Sequence, residues 1–68
     1  MKTVSGKRMC QILEGKGWRL ARVTGSHHIY VRQGSNLRIT VPIHGNQDLK
    51  IGLQRVIMKL ADVREEEL

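Results

Sequence analysis

Apolar residues along this chain change period twice, from helical to alternating and back to helical. Met9, Ile12 and Leu13 recur at one-face spacing between polar neighbours, which predicts a first helix. Ser5 stands where that helix needs an N-cap, since its hydroxyl can accept from a free first-turn amide. Gly15 and Gly17 bracket the other end, and glycine just past a helix is a stop signal. From Trp18 to Thr24 the run reads as extended, with Arg19 and Arg22 interrupting apolar residues. Gly25-Ser26 then predicts a tight turn. In the second strand Ile29 and Val31 alternate with His28, Tyr30 and Arg32, and a period of two sends the two sets to opposite faces. Gln33-Gly34-Ser35-Asn36 marks the next turn. The third strand runs from Leu37 to Val41, with Leu37, Ile39 and Val41 on one face and Arg38 and Thr40 on the other. Pro42 has no amide for a central ladder, so it ends this strand or lies at a sheet edge.

The helical period returns after a polar loop, His44-Gly45-Asn46-Gln47-Asp48, which is expected to supply the cap of a second helix. Leu53, Val56, Ile57 and Leu60 follow at i, i+3, i+4 and i+7, an apolar stripe that predicts the core-facing side. Asp62 with Glu65 three residues on resembles a capping box, predicting a last helical turn through Leu68. The order is helix, three strands, helix. Aliphatic residues on one face of each strand place both helices on the same side of an antiparallel meander. The chain therefore reads as one α+β domain over residues 1–68, in two layers. Its open sheet face is expected to show His28, Tyr30, Arg32, Arg38 and Thr40.

Composition narrows what such a domain can do. With 68 residues, folding buries only about 60% of the unfolded surface, and a partner can add to stability. Only Trp18 and Tyr30 are aromatic, so the predicted core is aliphatic. Net charge is +6, and three of the six acids are Glu65, Glu66 and Glu67. Residues 1–64 thus hold twelve bases against three acids. That asymmetry favours nucleic acid or an acidic protein over a neutral metabolite, although basicity also serves solubility alone. The one cysteine, Cys10, allows no internal disulfide and falls in a predicted helix, where packing is the expected role. The N-terminal residues are too polar for a signal peptide and no apolar run has membrane-spanning length, so the expectation is cytoplasmic, with no membrane partner.

Most active-site chemistries lack their parts here. Zinc needs three or four ligands, yet His27 and His28 are adjacent on a strand and point to opposite faces. His44 and Cys10 are remote in sequence, so no metal site is expected. No glycine-rich phosphate loop is present, and no cofactor is implied. Paired carboxylates cannot be assembled from Glu14, Asp48 and Asp62. Ser26 beside His27 makes no triad, because neighbours on a strand do not face each other. A lone histidine among cations remains. Histidine is the side chain whose ordinary pKa, ~6.5, lies nearest neutrality. RNA carries its own nucleophile, the 2′-hydroxyl, so cleaving it requires only a base and positive charge near the phosphorus. Parity favours His28 as that base, with His27 leaning toward the buried set. Ser26, His27 and His44 are auxiliary candidates, His44 as a weak general acid. Lys7, Arg32 and Arg38 are the candidate cations, and Tyr30 a candidate for base stacking. Both histidines could equally furnish a turn and a strand, Trp18 could anchor the core, and Tyr30 could be a half-buried strand residue.

The residues quoted so far resemble the HicA family of bacterial toxins, which are small mRNA interferases paired with HicB antitoxins. The resemblance runs through Val4-Ser5-Gly6-Lys7, Lys16-Gly17-Trp18, Gly25-Ser26-His27-His28-Ile29-Tyr30, Thr40-Val41-Pro42-Ile43-His44, Leu49-Lys50 and Gly52. The Gly-Ser-x-His strand entry with the Val-Pro-x-His exit is the specific combination. It implies a double-stranded-RNA-binding-like α-β-β-β-α fold and ribosome-independent cleavage of mRNA. It also implies that the histidine of Gly-Ser-x-His, here His28, is catalytic and that a HicB-like antitoxin masks it. One departure is Gln54, where members of the family often carry an apolar residue. The rival reading is a double-stranded-RNA-binding module without catalysis. Such modules usually hold a lysine cluster at the start of the second helix, where this chain has only Lys50 with Arg55 beyond.

Overall fold

The computed structural model describes all 68 residues. Its elements are α1 (Gly6–Gly15), β1 (Arg19–Thr24), β2 (His27–Val31), β3 (Arg38–Pro42) and α2 (Ile51–Ala61), followed by a single 3-10 turn at Glu65–Glu67. The strands form an antiparallel meander in the order β1-β2-β3. The fold is the α+β, α-β-β-β-α arrangement expected from the sequence. No helix is long and apolar enough to cross a membrane.

Local chemistry explains the first helix and the first hairpin. Ser5 Oγ accepts from the Arg8 amide at 3.0 Å, satisfying one of the donors that a helix start leaves free. The helix then buries Met9, Cys10, Ile12 and Leu13. Thr24 pairs with His27 across the two-residue loop Gly25-Ser26. Gly25 there takes φ +57°, the left-handed conformation that such hairpin loops reserve for glycine. Pro42 is the last residue of β3, an edge strand with only β2 beside it, so its missing amide costs no ladder bond.

The buried side chains of the sheet are Tyr30, Ile39 and Val41. The register pairs Tyr30 with Ile39 and His28 with Val41, so these four share the face that the helices cover. Arg38 and Thr40 lie on the open face, as their strand's alternation predicts. In β2 the predicted faces are exchanged. Ile29 and Val31 fall on the open face with His27, and Tyr30 turns into the core at 1% exposure. The reason is the pairing with β3, whose aliphatic parity is unambiguous at Ile39 and Val41. Matching that register leaves Tyr30 opposite Ile39, and the phenol finds a partner at the layer's edge: Tyr30 Oη donates to Glu14 Oε2 at 2.7 Å. Leu37, expected beside Ile39 and Val41, precedes β3 and is exposed. A register shift between Leu20 and Arg22 bulges β1 at Ala21, so Arg19, Arg22 and Thr24 all join the open face.

The second helix is rotated from its predicted orientation. Its buried residues are Gln54, Ile57, Met58 and Ala61, while Leu53, Val56 and Leu60 are exposed. The shift of one position turns the helix by about 100°. Gln54 decides it. The Val4 amide donates to Gln54 Oε1 at 2.9 Å, and Gln54 Nε2 donates to the Lys2 carbonyl at 2.7 Å. Both ends of a buried amide are thus satisfied by the N-terminal segment, which the Leu49 amide also ties down by donating to the Val4 carbonyl at 2.8 Å. Asp48 does not cap α2. It accepts from Thr3 Oγ1 at 2.7 Å, and Lys50 occupies the N-cap position without a side-chain cap bond. Asp62 likewise opens no capping box. It is the left-handed C-cap of α2, at φ 56°. The acidic end folds back instead: Glu67 accepts from the Arg64 amide at 2.9 Å and meets Lys16 Nζ at 3.0 Å. Those two contacts, the Arg64 amide first, hold the Glu67 carboxyl below its usual range.

Candidate functional site

One end of the sheet gathers the residues that the sequence singles out. The Gly25-Ser26 turn is tied to the chain after β3, where the Ile43 amide donates to the Ser26 carbonyl at 2.8 Å. His27 and His28 start β2 beside that turn, opposite Pro42 and Val41. His44 follows directly after Ile43. The first turn of α1 abuts the same end: a Cβ at Gly6 would overlap the Pro42 carbonyl and crowd Ile43. Only glycine lets helix and strand approach that closely. Lys7, the next residue, is exposed, and the first turn of α1 holds no acidic side chain. The positive end of the helix dipole is therefore not neutralised by the helix itself.

The two histidines part company as their adjacency requires, but with the faces reversed from expectation. His28 lies in the row Val23–His28–Val41 on the helix-covered side. There it is half-buried, because the helices reach Val41 and leave Val23 uncovered. The residue is thus partly covered and partly open to solvent. His27 is exposed on the open face, which it shares with Arg19, Arg22, Arg38 and Thr40. Neither Arg19 nor Arg22 was marked by the sequence as a site residue. The bulge at Ala21 puts both on one face, and a plain alternation count cannot anticipate it.

Two other expected site residues are otherwise engaged. Tyr30 offers no surface to a base. Burial pushes its phenol pKa above the usual value, and the bonds to Glu14 and to Cys10 push further in the same direction. Burial likewise raises the Cys10 thiol, which fits a packed, unreactive sulfur. Arg32 is exposed, but its guanidinium carbon sits 4.7 Å above the Trp18 ring, a cation–π contact. Trp18 itself is buried and anchors the core where α1 meets β1.

His44 is exposed and borders a shallow cavity of about 130 Å³ between β3 and α2, with Pro42, Asp48, Leu49, Lys50 and Leu53 around it. It therefore stands near the turn that carries Ser26 and on the rim of a separate hollow. No group of three or more His, Cys, Asp or Glu side chains converges as metal ligands would. What the arrangement can do chemically is limited and specific. A half-buried histidine lies at the sheet end that α1 abuts, and an open sheet face of arginines can attract phosphates.

A family model described as "HicA toxin of bacterial toxin-antitoxin" matches residues 6–63. The match spans both helices and all three strands. Comparison with curated proteins finds no match.

Proposed function

The chain belongs to the HicA toxin family of bacterial toxin–antitoxin systems, and on that premise we propose that it arrests growth as an mRNA-cleaving endoribonuclease. His28 is the general base. It takes the proton of a ribose 2′-hydroxyl, whose oxygen attacks the adjacent phosphorus while the bond to the 5′-oxygen breaks. The leaving oxygen collects a proton from water or from His44. Lys7 and the positive end of the α1 dipole offset the charge that develops on the phosphate. Arg38 lies on the other face of the sheet from His28. It therefore holds a neighbouring phosphate, together with Arg19 and Arg22. Arg32 contributes charge from its perch on Trp18. The mRNA supplies nucleophile and leaving group, so no metal or cofactor enters. A HicB-like antitoxin masks His28 in the neutralised complex.

The observation that carries this reading is the half-burial of His28 at the sheet end where α1 begins. There the residue is partly covered and partly open to solvent, as a base for a large substrate must be. A second reading rests on His27, exposed on the arginine-bearing face, as the base. The experiment separates them. Wild type, His28→Ala and His27→Ala are induced in a host lacking antitoxin, and each purified protein is incubated with defined mRNA. Loss of a general base costs about 10²–10⁴-fold in rate, so His28→Ala should abolish arrest and cleavage while His27→Ala retains both. Continued mRNA loss with a stably folded His28→Ala refutes the assignment, and the reverse pattern moves it to His27. RNA mobility shifts without shorter fragments would instead favour a non-catalytic RNA-binding module.

A further inference from the structure

The rotation of α2 leaves an aliphatic stripe without a partner. Leu53, Val56 and Leu60 lie on one side of the helix at i, i+3 and i+7 and are 37%, 54% and 39% exposed. In a domain of 68 residues these are large apolar side chains withheld from a small core. Helical geometry puts Lys59 and then Arg55 along the edge of the stripe away from the core, and both are exposed. The helix carries no acidic residue, and Lys50 stands at its N-cap. At the N-terminal end Leu53 also walls the hollow beside Pro42 and Leu49. The surface is thus an apolar strip, with a small recess at one end and positive charge along one side.

This pattern selects among occupants. Bound RNA gains from stacking on aromatic rings and from phosphate contacts, and this face offers aliphatic side chains and no ring. A second copy packed α2 against α2 would bring another Arg55–Lys59 edge with no acid on that helix to answer it, its exposed Glu65 and Glu66 lying beyond the helix. A protein segment with aliphatic anchors and acidic flanks satisfies both components, the usual mode for an apolar helix face. We propose that the outward face of α2 is the docking site for such an acidic, aliphatic segment of the antitoxin. The proposal rests on the toxin–antitoxin reading for the existence of that partner. It places the antitoxin's grip on α2, on residues other than His28, so that binding and masking are separable.

The test compares the full chain with a triple variant, Leu53→Gln, Val56→Gln, Leu60→Gln, and with a charge variant, Arg55→Glu, Lys59→Glu. Affinity for the purified antitoxin is measured by calorimetry, and RNA cleavage and thermal unfolding are followed in parallel. The triple variant should lose at least about 100-fold in affinity, the scale expected when a central apolar anchor is removed. Its RNA cleavage should be unchanged. The charge variant, which alters only exposed side-chain heads, should bind at least about tenfold more weakly, with a weaker salt dependence. It decides the matter if the triple variant fails to fold. Unchanged antitoxin affinity in both variants overturns the proposal. So does a parent chain that elutes as a dimer which the triple variant dissociates without effect on antitoxin affinity. Absence of RNA cleavage by the parent would sink the nuclease reading and leave the affinity comparison standing.

Discussion

Replacing Gln54 by leucine puts an apolar residue into an apolar stripe, and hydropathy alone predicts a gain in stability. The structure predicts a loss. Gln54 is fully buried, and its amide group accepts from the Val4 amide at 2.9 Å and donates to the Lys2 carbonyl at 2.7 Å. Leucine is of similar size but answers neither group. Net loss of a neutral hydrogen bond is worth about 1 kcal/mol, and a buried donor left alone costs about 1–3 kcal/mol. The Lys2 carbonyl belongs to an exposed residue and can turn to water, so the orphaned Val4 amide dominates. Apolar transfer of the leucine returns about 1–2 kcal/mol of this at most, because the pocket is half polar. Gln54→Leu should therefore destabilise by about 1–2 kcal/mol, and Gln54→Ala by about 2–4 kcal/mol, since it adds a cavity. For a chain of this size each kcal/mol moves the melting temperature by about 4–8 °C. Urea unfolding gives the free energy, and amide hydrogen exchange gives the mechanism. The Val4 amide should exchange slowly in the parent and rapidly in both variants. A Gln54→Leu protein as stable as the parent, with Val4 still protected, would refute the reasoning.

Two further predictions concern the core and the helix contact. Because burial, then the Glu14 bond, raises the Tyr30 phenol pKa, the folded state keeps a proton that the unfolded state releases above about pH 10. The stability from this group is fully present below that pH and is lost as pH rises beyond it. Cys10, raised by burial, acts with the same sign from about pH 8.5. Tyr30→Phe should flatten the alkaline decline in urea midpoint, and an unchanged pH profile would contradict this. Gly6→Ala is a change that ordinarily stabilises a helix by about 0.5–1 kcal/mol. Here the added methyl meets the Pro42 carbonyl, so it should destabilise by about 1–3 kcal/mol in denaturant melts. A gain in stability would mean that helix and strand separate without cost.

Much of the architecture was legible in the chain because local signals stood alone. Ser5 and the Met9–Ile12–Leu13 stripe have no competing pattern beside them, and α1 forms where they predict. Gly25-Ser26 admits only a hairpin loop. The order of elements and the gathering of histidines at one sheet end follow from those signals. The errors fall where two patterns overlap. In His27–Arg32 both parities carry residues able to be buried, and hydropathy chose Ile29 and Val31 over Tyr30. The choice failed because Tyr30 can bury its ring and still bond Glu14, sixteen residues away in sequence, a contact no local window contains. The change of face reached His28 too. Its candidacy rests on its half-buried place at that end of the sheet and on the Gly-Ser-x-His resemblance.

The sequence by itself determined which elements form, their order, the positive charge and the scarcity of proton-transfer groups, because these depend on short-range spacing and on composition. The tertiary structure decided rotation and facing. Two stripes on α2, 53-56-57-60 and 54-57-58-61, share Ile57 and differ by one residue. The backbone groups of Lys2 and Val4, fifty or more residues earlier, select the second by bonding Gln54. That selection turns Leu53, Val56 and Leu60 outward, and the matching of β2 to β3 turns His28 inward. Periodicity allows either face in both cases. Pairing over long sequence separation fixes one, because it satisfies polar groups that would otherwise be buried without partners.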